Sequence, residues 1–176
     1  INASFGQSFR LLGLAAIGAP RSDLTDVIAH YLAGNQSDDG SYASESYRPP
    51  LEASPFTATA MTSRALALYG PEGRSEDLAR RIRRACDWFE RAVPRDNEER
   101  VMKLLGLAWS GGADAAMRAA VDELLQTQNP DGGWAQIATR SSDAYATGQA
   151  LVAMQQMGKL AVTSDAFQRG IRFLLD

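Results

Sequence analysis

The sequence predicts an all-α protein of repeated helix hairpins in two layers. Three observations carry this: apolar residues recur at helical spacing, loops of one residue grammar recur between them, and no segment alternates as a strand ladder would. The grammar is clearest at Gln128-Asn129-Pro130-Asp131-Gly132-Gly133-Trp134, of which Gln36-Ser37-Asp38-Asp39-Gly40-Ser41-Tyr42 is an imperfect copy. Each copy follows an apolar helix ending Tyr31-Leu32 or Leu124-Leu125 and precedes a helix rich in small residues, with Arg64-Ala65-Leu66-Ala67-Leu68 or Gln149-Ala150-Leu151-Val152-Ala153.

The elements alternate in kind. One-faced helices are predicted from the stripes Leu24, Val27, Ile28, Tyr31, Leu32, then Leu78, Ile82, Cys86, Phe89, then Met117, Val121, Leu124, Leu125, and last Phe167, Ile171, Leu174, Leu175. These form an outer layer. Between them lie Ser8 to Ile17, Thr57 to Tyr69, Arg100 to Trp109 and Ala144 to Met157, crowded with Ala, Gly, Ser and Leu, whose small side chains let helices approach closely in an inner layer. Gly18-Ala19-Pro20, Gly70-Pro71, Gly111-Gly112 and Gly158 stand where helices should stop. Asp96 with Glu99 reads as a capping box, and Ser75 or Asp77 as the cap of the helix that follows them. Seven to nine helices, about four hairpins, are too few to close a ring. The irregular stretch from Asp38 to Pro55, with Ser46-Tyr47-Arg48-Pro49-Pro50, reads as an ordered surface loop able to carry a binding site.

Bulk properties bound the function. A chain of 176 residues supports one domain with its own core. Eighteen basic against 21 acidic residues give a net charge of −3, which offers nucleic acid or an anionic membrane no electrostatic attraction. Cys86 is the sole cysteine, so an internal disulfide is excluded and a thiolate metal cluster lacks ligands. No apolar run is long enough to span a bilayer and no signal peptide opens the chain, yet Ile1 in place of Met implies a trimmed segment, and the compartment stays open.

The recurring loops resemble the QW repeat of squalene–hopene cyclases and their relatives, in which a basic, a small, an aromatic and an aliphatic residue precede Gln, Gly and Trp. Tyr31-Leu32, Gln36, Gly40 and Tyr42 fit with Tyr for the final Trp; Arg118-Ala119, Leu124, Gln128, Gly132 and Trp134 fit with Glu123 where an aromatic belongs. Arg84-Ala85-Cys86-Asp87-Trp88-Phe89 fits the opening half and runs into Pro94, and Arg169-Gly170-Ile171-Arg172-Phe173-Leu174 fits it until Asp176. The resemblance covers about the whole chain and implies an α/α toroid around an apolar cavity, which accepts polyisoprenoids in the family's enzymes. Ser141 to Leu151 resembles an inner-helix start in bacterial cyclase-like repeat proteins of unassigned activity. In physical terms the Gln, Gly and aromatic form a clasp: the glycine turns, the aromatic covers the turn, and the amide satisfies backbone groups at a neighbouring helix end.

The family's reactions need more than the clasp. A protonating cyclase uses clustered carboxylates, and this sequence lacks that motif; Asp143 is the weak catalytic candidate, read first as the N-cap of the helix beginning at Ala144. The prenyltransferases use Asp, Cys and His on zinc, and His30 and Cys86 fall on separate outer helices, so no metal and no cofactor is expected. Arg80, Arg81, Arg83 and Arg84 could hold a diphosphate but lie among Glu72, Glu76, Asp77, Asp87 and Glu90, which favours a solvated mixed face. Tyr145, Trp109 and Phe9 on inner helices are the candidates to line a ligand cavity. The expected function is a toroid repeat domain that binds an apolar ligand or a protein without catalysis; the alternatives are a fragment of a terpenoid cyclase or prenyltransferase, and a pectate-lyase-like carbohydrate-active α/α barrel. The incomplete last repeat and the first helix, which has no outer helix before it, imply further domains or self-association.

Overall fold

The computed structural model describes residues 3–44, 48 and 54–176; side chains are described from residue 6 onward. Most of the segment Ser46 to Pro50, read above as an ordered loop, lies outside the described residues. The described residues form eight α-helices and no strand: α1 (Ala3–Ala16), α2 (Asp23–Gly34), α3 (Pro55–Tyr69), α4 (Ser75–Arg91), α5 (Asn97–Ser110), α6 (Asp114–Leu125), α7 (Ala144–Gln156) and α8 (Asp165–Leu175).

Local chemistry starts and stops these helices. The Ser54 hydroxyl accepts from the Phe56 N–H at 3.1 Å and Pro55 supplies a preset first turn for α3. Asp96 accepts from the Glu99 N–H at 2.9 Å to start α5, which ends on Gly111 at φ 81°. The Asp96–Glu99 capping box is only half formed. Glu99 turns instead to the backbone N–H of Arg95 at 2.7 Å, the Arg95 guanidinium at 2.9 Å and the Ser54 hydroxyl at 2.9 Å. Neither Ser75 nor Asp77 caps α4, which begins without a side-chain cap; Asp77 is drawn to Arg74, Arg80 and Arg81.

The helices sort into two rows. In the first, α1 packs on α3, α3 on α5 and α5 on α7; in the second, α2 lies on α1 and α3, α4 on α3 and α5, α6 on α5, and α8 on α7. First-row neighbours run in the same direction. Ser8 meets Thr62 at 2.9 Å and the Tyr69 hydroxyl reaches the Ala19 carbonyl at 2.7 Å, which fixes α1 beside α3. Ser54 with Glu99 at one end and Arg64 over Trp109 at the other do the same for α3 and α5. Two apolar cores result: one around Leu11, Ile28, Leu32, Leu66 and Leu78, the other around Phe89, Leu104, Leu107, Leu124, Trp134 and Met154.

Two predicted stripes are rotated. On α2 the buried face is Thr25, Ile28, Ala29, Leu32 and Ala33, while Leu24, Val27 and Tyr31 are exposed. Ile28 and Leu32 of the predicted stripe are buried, but Thr25, Ala29 and Ala33 complete the face because small side chains allow a close approach, and Leu24, Val27 and Tyr31 are left outside. On α8 Gly170 is buried against Leu151 and Trp134, Phe167 and Ile171 are half-buried, and Leu174 and Leu175 are exposed.

Candidate functional site

The two recurring loops share one geometry. Gln36 donates to the Gly40 carbonyl at 2.9 Å and the Arg81 carbonyl at 2.8 Å; Gln128 donates to the Gly132 and Ala166 carbonyls, each at 2.8 Å. The Ala166 carbonyl lies in the first turn of α8, at an adjacent helix end as expected, whereas the Arg81 carbonyl lies mid-helix in α4, so the amide ties each loop sideways to the next second-row helix. Asp39 accepts from the Ser41 N–H and Asp131 from the Gly133 N–H, both at 2.9 Å. The N–H of Tyr42 reaches the Thr59 hydroxyl and that of Trp134 the Thr147 hydroxyl, again both at 2.9 Å.

Gly40 and Gly132 are dictated twice over. Their φ values of 99° and 89° disfavour any side chain, and an added Cβ would lie 2.3 Å from the Arg84 carbonyl oxygen or 2.7 Å from that of Arg169. Tyr42 and Trp134 are 2% and 0% exposed, which makes them core residues with no surface for a ligand. The indole N–H of Trp134 donates to the Leu124 carbonyl at 2.8 Å, whereas the buried Tyr42 hydroxyl has no partner among the described residues. The arginine run serves the first loop: Arg81 donates to the Ala33 carbonyl at 2.6 Å, and Arg84 to those of Ser37 at 3.0 Å and Asp38 at 2.9 Å.

Asp143 caps α7. One carboxylate oxygen accepts from the Ala146 N–H at 2.9 Å and the other from the Gln136 amide at 3.2 Å. Tyr145 and Phe9 stand 41% and 39% exposed on α7 and α1, and Trp109 is half-buried on α5 under the Arg64 guanidinium, 5.8 Å from the ring centre. These aromatics share the first row and form no common cluster. His30 lies on α2 against Arg74, and Cys86 is buried on α4, where burial raises its thiol pKa.

The arrangement with the most chemistry was not singled out by the sequence reading. Glu98, in the first turn of α5, is 6% exposed and sits against α7, where its Oε2 accepts from the Gln149 amide at 2.6 Å and the Tyr145 hydroxyl at 3.1 Å. Among the described residues its Oε1 and the Gln149 Oε1 are buried without a hydrogen-bond partner, and the Thr57 hydroxyl stands beside the carboxyl from α3, where it can donate to it. Burial raises the Glu98 pKa above the ordinary 4.5; the Gln149, Tyr145 and Thr57 hydrogen bonds oppose that, and the neighbouring Asp96 carboxylate adds to it. Asp96 is itself raised by burial. Tyr145 is raised by burial and by Glu98. The sequence signal was spacing: Glu98, Leu105 and Trp109 fall at i, i+7 and i+11, one face of α5.

That face is the fourth side of the first row. Because α3 and α5 have row neighbours on two sides and second-row helices behind, their half-exposed Met61, Arg64, Leu105 and Trp109 occupy the side left over, continued on α7 by Tyr145 and Val152. It carries an acidic, hydrogen-bonding end at Glu98 and an aromatic, cationic end at Trp109 and Arg64, about 16 Å apart for an 11-residue helical rise. Comparison with known proteins supplies no relative: no protein-family model and no curated protein matches the chain.

Proposed function

We propose that the chain is a squalene-cyclase-like repeat domain that holds an apolar, isoprenoid-like ligand against the free face of its first helix row, without performing the cyclisation chemistry of the enzymes it resembles. The observation that carries the reading is a stripe of half-exposed apolar and aromatic side chains, Met61, Leu105, Trp109 and Val152, on a face bounded by polar groups at both ends. In a larger α/α toroid this face would be the cavity wall. Asp143, the sequence candidate for an acid, is engaged by the Ala146 N–H and Gln136 in a helix cap, which supports binding over catalysis.

Trp109 makes the reading testable. Titration with farnesol should give saturable quenching of fluorescence that Trp109→Phe removes, and Val152→Asp, at a 54% exposed position, should weaken binding at least about tenfold. Absence of saturable binding, or binding indifferent to Val152→Asp, would sink it. The cyclase reading is favoured by one observation, the buried Glu98 carboxyl with its raised pKa. It requires turnover of squalene that Glu98→Gln abolishes.

A further inference from the structure

We infer that the buried Glu98–Gln149–Thr57 cluster is a recognition site for the protonated primary amine head of an amphiphilic ligand whose apolar tail lies along the Met61, Leu105 and Val152 stripe. The inference rests on the reading of this face as a ligand surface and names the head group it selects. The orphan atoms decide the chemistry. Glu98 Oε1 and Gln149 Oε1 only accept and, among the described residues, both are buried without a partner, while the Thr57 hydroxyl beside the carboxyl can donate to it or accept from a ligand. A ligand that satisfies them must bring several donors at one point. An ammonium brings three, an alcohol one and a carboxylate none.

Charge points the same way. Glu98 has the Asp96 carboxylate beside it on α5, and Asp143 acts on Tyr145 across the same end of the row. The guanidinium nearest in sequence, that of Arg95, is engaged by Glu99 at 2.9 Å. An entering cation would therefore neutralise a carboxylate that is now held away from water. Access is through α7: Tyr145 is 41% exposed over the carboxyl, and the Gly148 position has nothing within 4 Å of an added Cβ, so the tyrosine has open space beside it into which to swing.

Calorimetric titration at pH 7.5 with octylamine and 1-octanol, which share the tail and differ in the head, separates the claims. Octylamine should bind at least about tenfold more tightly than octanol, and Glu98→Gln, nearly isosteric and folded by circular dichroism, should bring the two within about twofold. Gly148→Trp, which fills the open space without touching the carboxyl, should abolish amine binding and guards against a Glu98→Gln protein that does not fold. Equal binding of amine and alcohol, or an amine preference that survives either variant, overturns the amine site and leaves the apolar-ligand reading standing. Binding of neither probe, together with no farnesol binding, overturns both.

Discussion

At the scale of single residues, two adjacent carboxylates in the first turn of α5 show what burial does to one functional group. Glu99 is pushed up by burial, yet the Arg95 guanidinium, the Arg95 N–H and the Ser54 hydroxyl together hold it below the ordinary value, whereas Glu98, with only neutral donors and the Asp96 carboxylate nearby, is left above it. A carboxyl whose pKa is raised by folding lends stability at low pH that is lost as pH rises through the folded value. Glu98→Gln does not titrate, so the variant should gain stability relative to the parent between pH 4 and pH 8 in denaturant melts; a constant difference would mean that Glu98 is solvated. Glycines give a second contrast. Gly132→Ala should cost about 2 to 3 kcal/mol through its positive φ and the Arg169 carbonyl, while Gly148→Ala, in open helical space, should gain about 0.5 to 1 kcal/mol in the same melts. Asp143 was legible in sequence because a cap is a local event. Glu98 was not, because acidic residues in a first turn are ordinary, and what distinguishes this one is a partner 51 positions away.

Elements were legible where one periodicity served one neighbour. The α4 stripe holds, with Leu78, Cys86 and Phe89 buried, since that helix presents a single face to α3 and α5. On α2 Ile28 and Leu32 keep their place but Leu24, Val27 and Tyr31 lose theirs to Ala29 and Ala33, because close packing on α1 and α3 rewards small side chains and hydrophobicity alone does not report distance. The loop clasps tie hairpins into rows, and their two aromatics make different use of the same place. Trp134→Ala should cost about 3 to 5 kcal/mol, since it empties a fully buried site and removes the indole hydrogen bond to the Leu124 carbonyl, which keeps Thr127 as a donor. Tyr42→Phe should cost less than about 1 kcal/mol or stabilise, because the buried hydroxyl it removes has no partner among the described residues. Thermal denaturation of the two variants checks both, and a large loss in Tyr42→Phe would reveal a bond to that hydroxyl.

For the molecule as a whole, stability is distributed in two cores that share α3 and α4. A row of hairpins in which each helix touches only near neighbours unfolds unevenly. Helices α1 and α2, which pack on each other and on α3 and leave Leu24, Val27 and Tyr31 to solvent, should exchange backbone hydrogens faster than α5, which is flanked by α3, α4, α6 and α7. Equal protection in α2 and α5 would show a single cooperative unit. The all-helical class and the two-layer alternation could be read from sequence because periodicity and loop grammar are written locally. The free face could not, since it is defined by which sides of three helices the others leave uncovered.

The threonine that catches each loop also acts as a ruler. From the Tyr42 N–H to Thr59 is 17 positions and from the Trp134 N–H to Thr147 is 13, yet both contacts close at 2.9 Å. The chain between aromatic and threonine therefore varies in length while the frame on either side is held in register. That segment is the natural graft point of the architecture: a peptide tag or reporter spliced there changes a span the fold already tolerates at two lengths, whereas one extra residue between Gln128 and Gly132 would break the clasp itself.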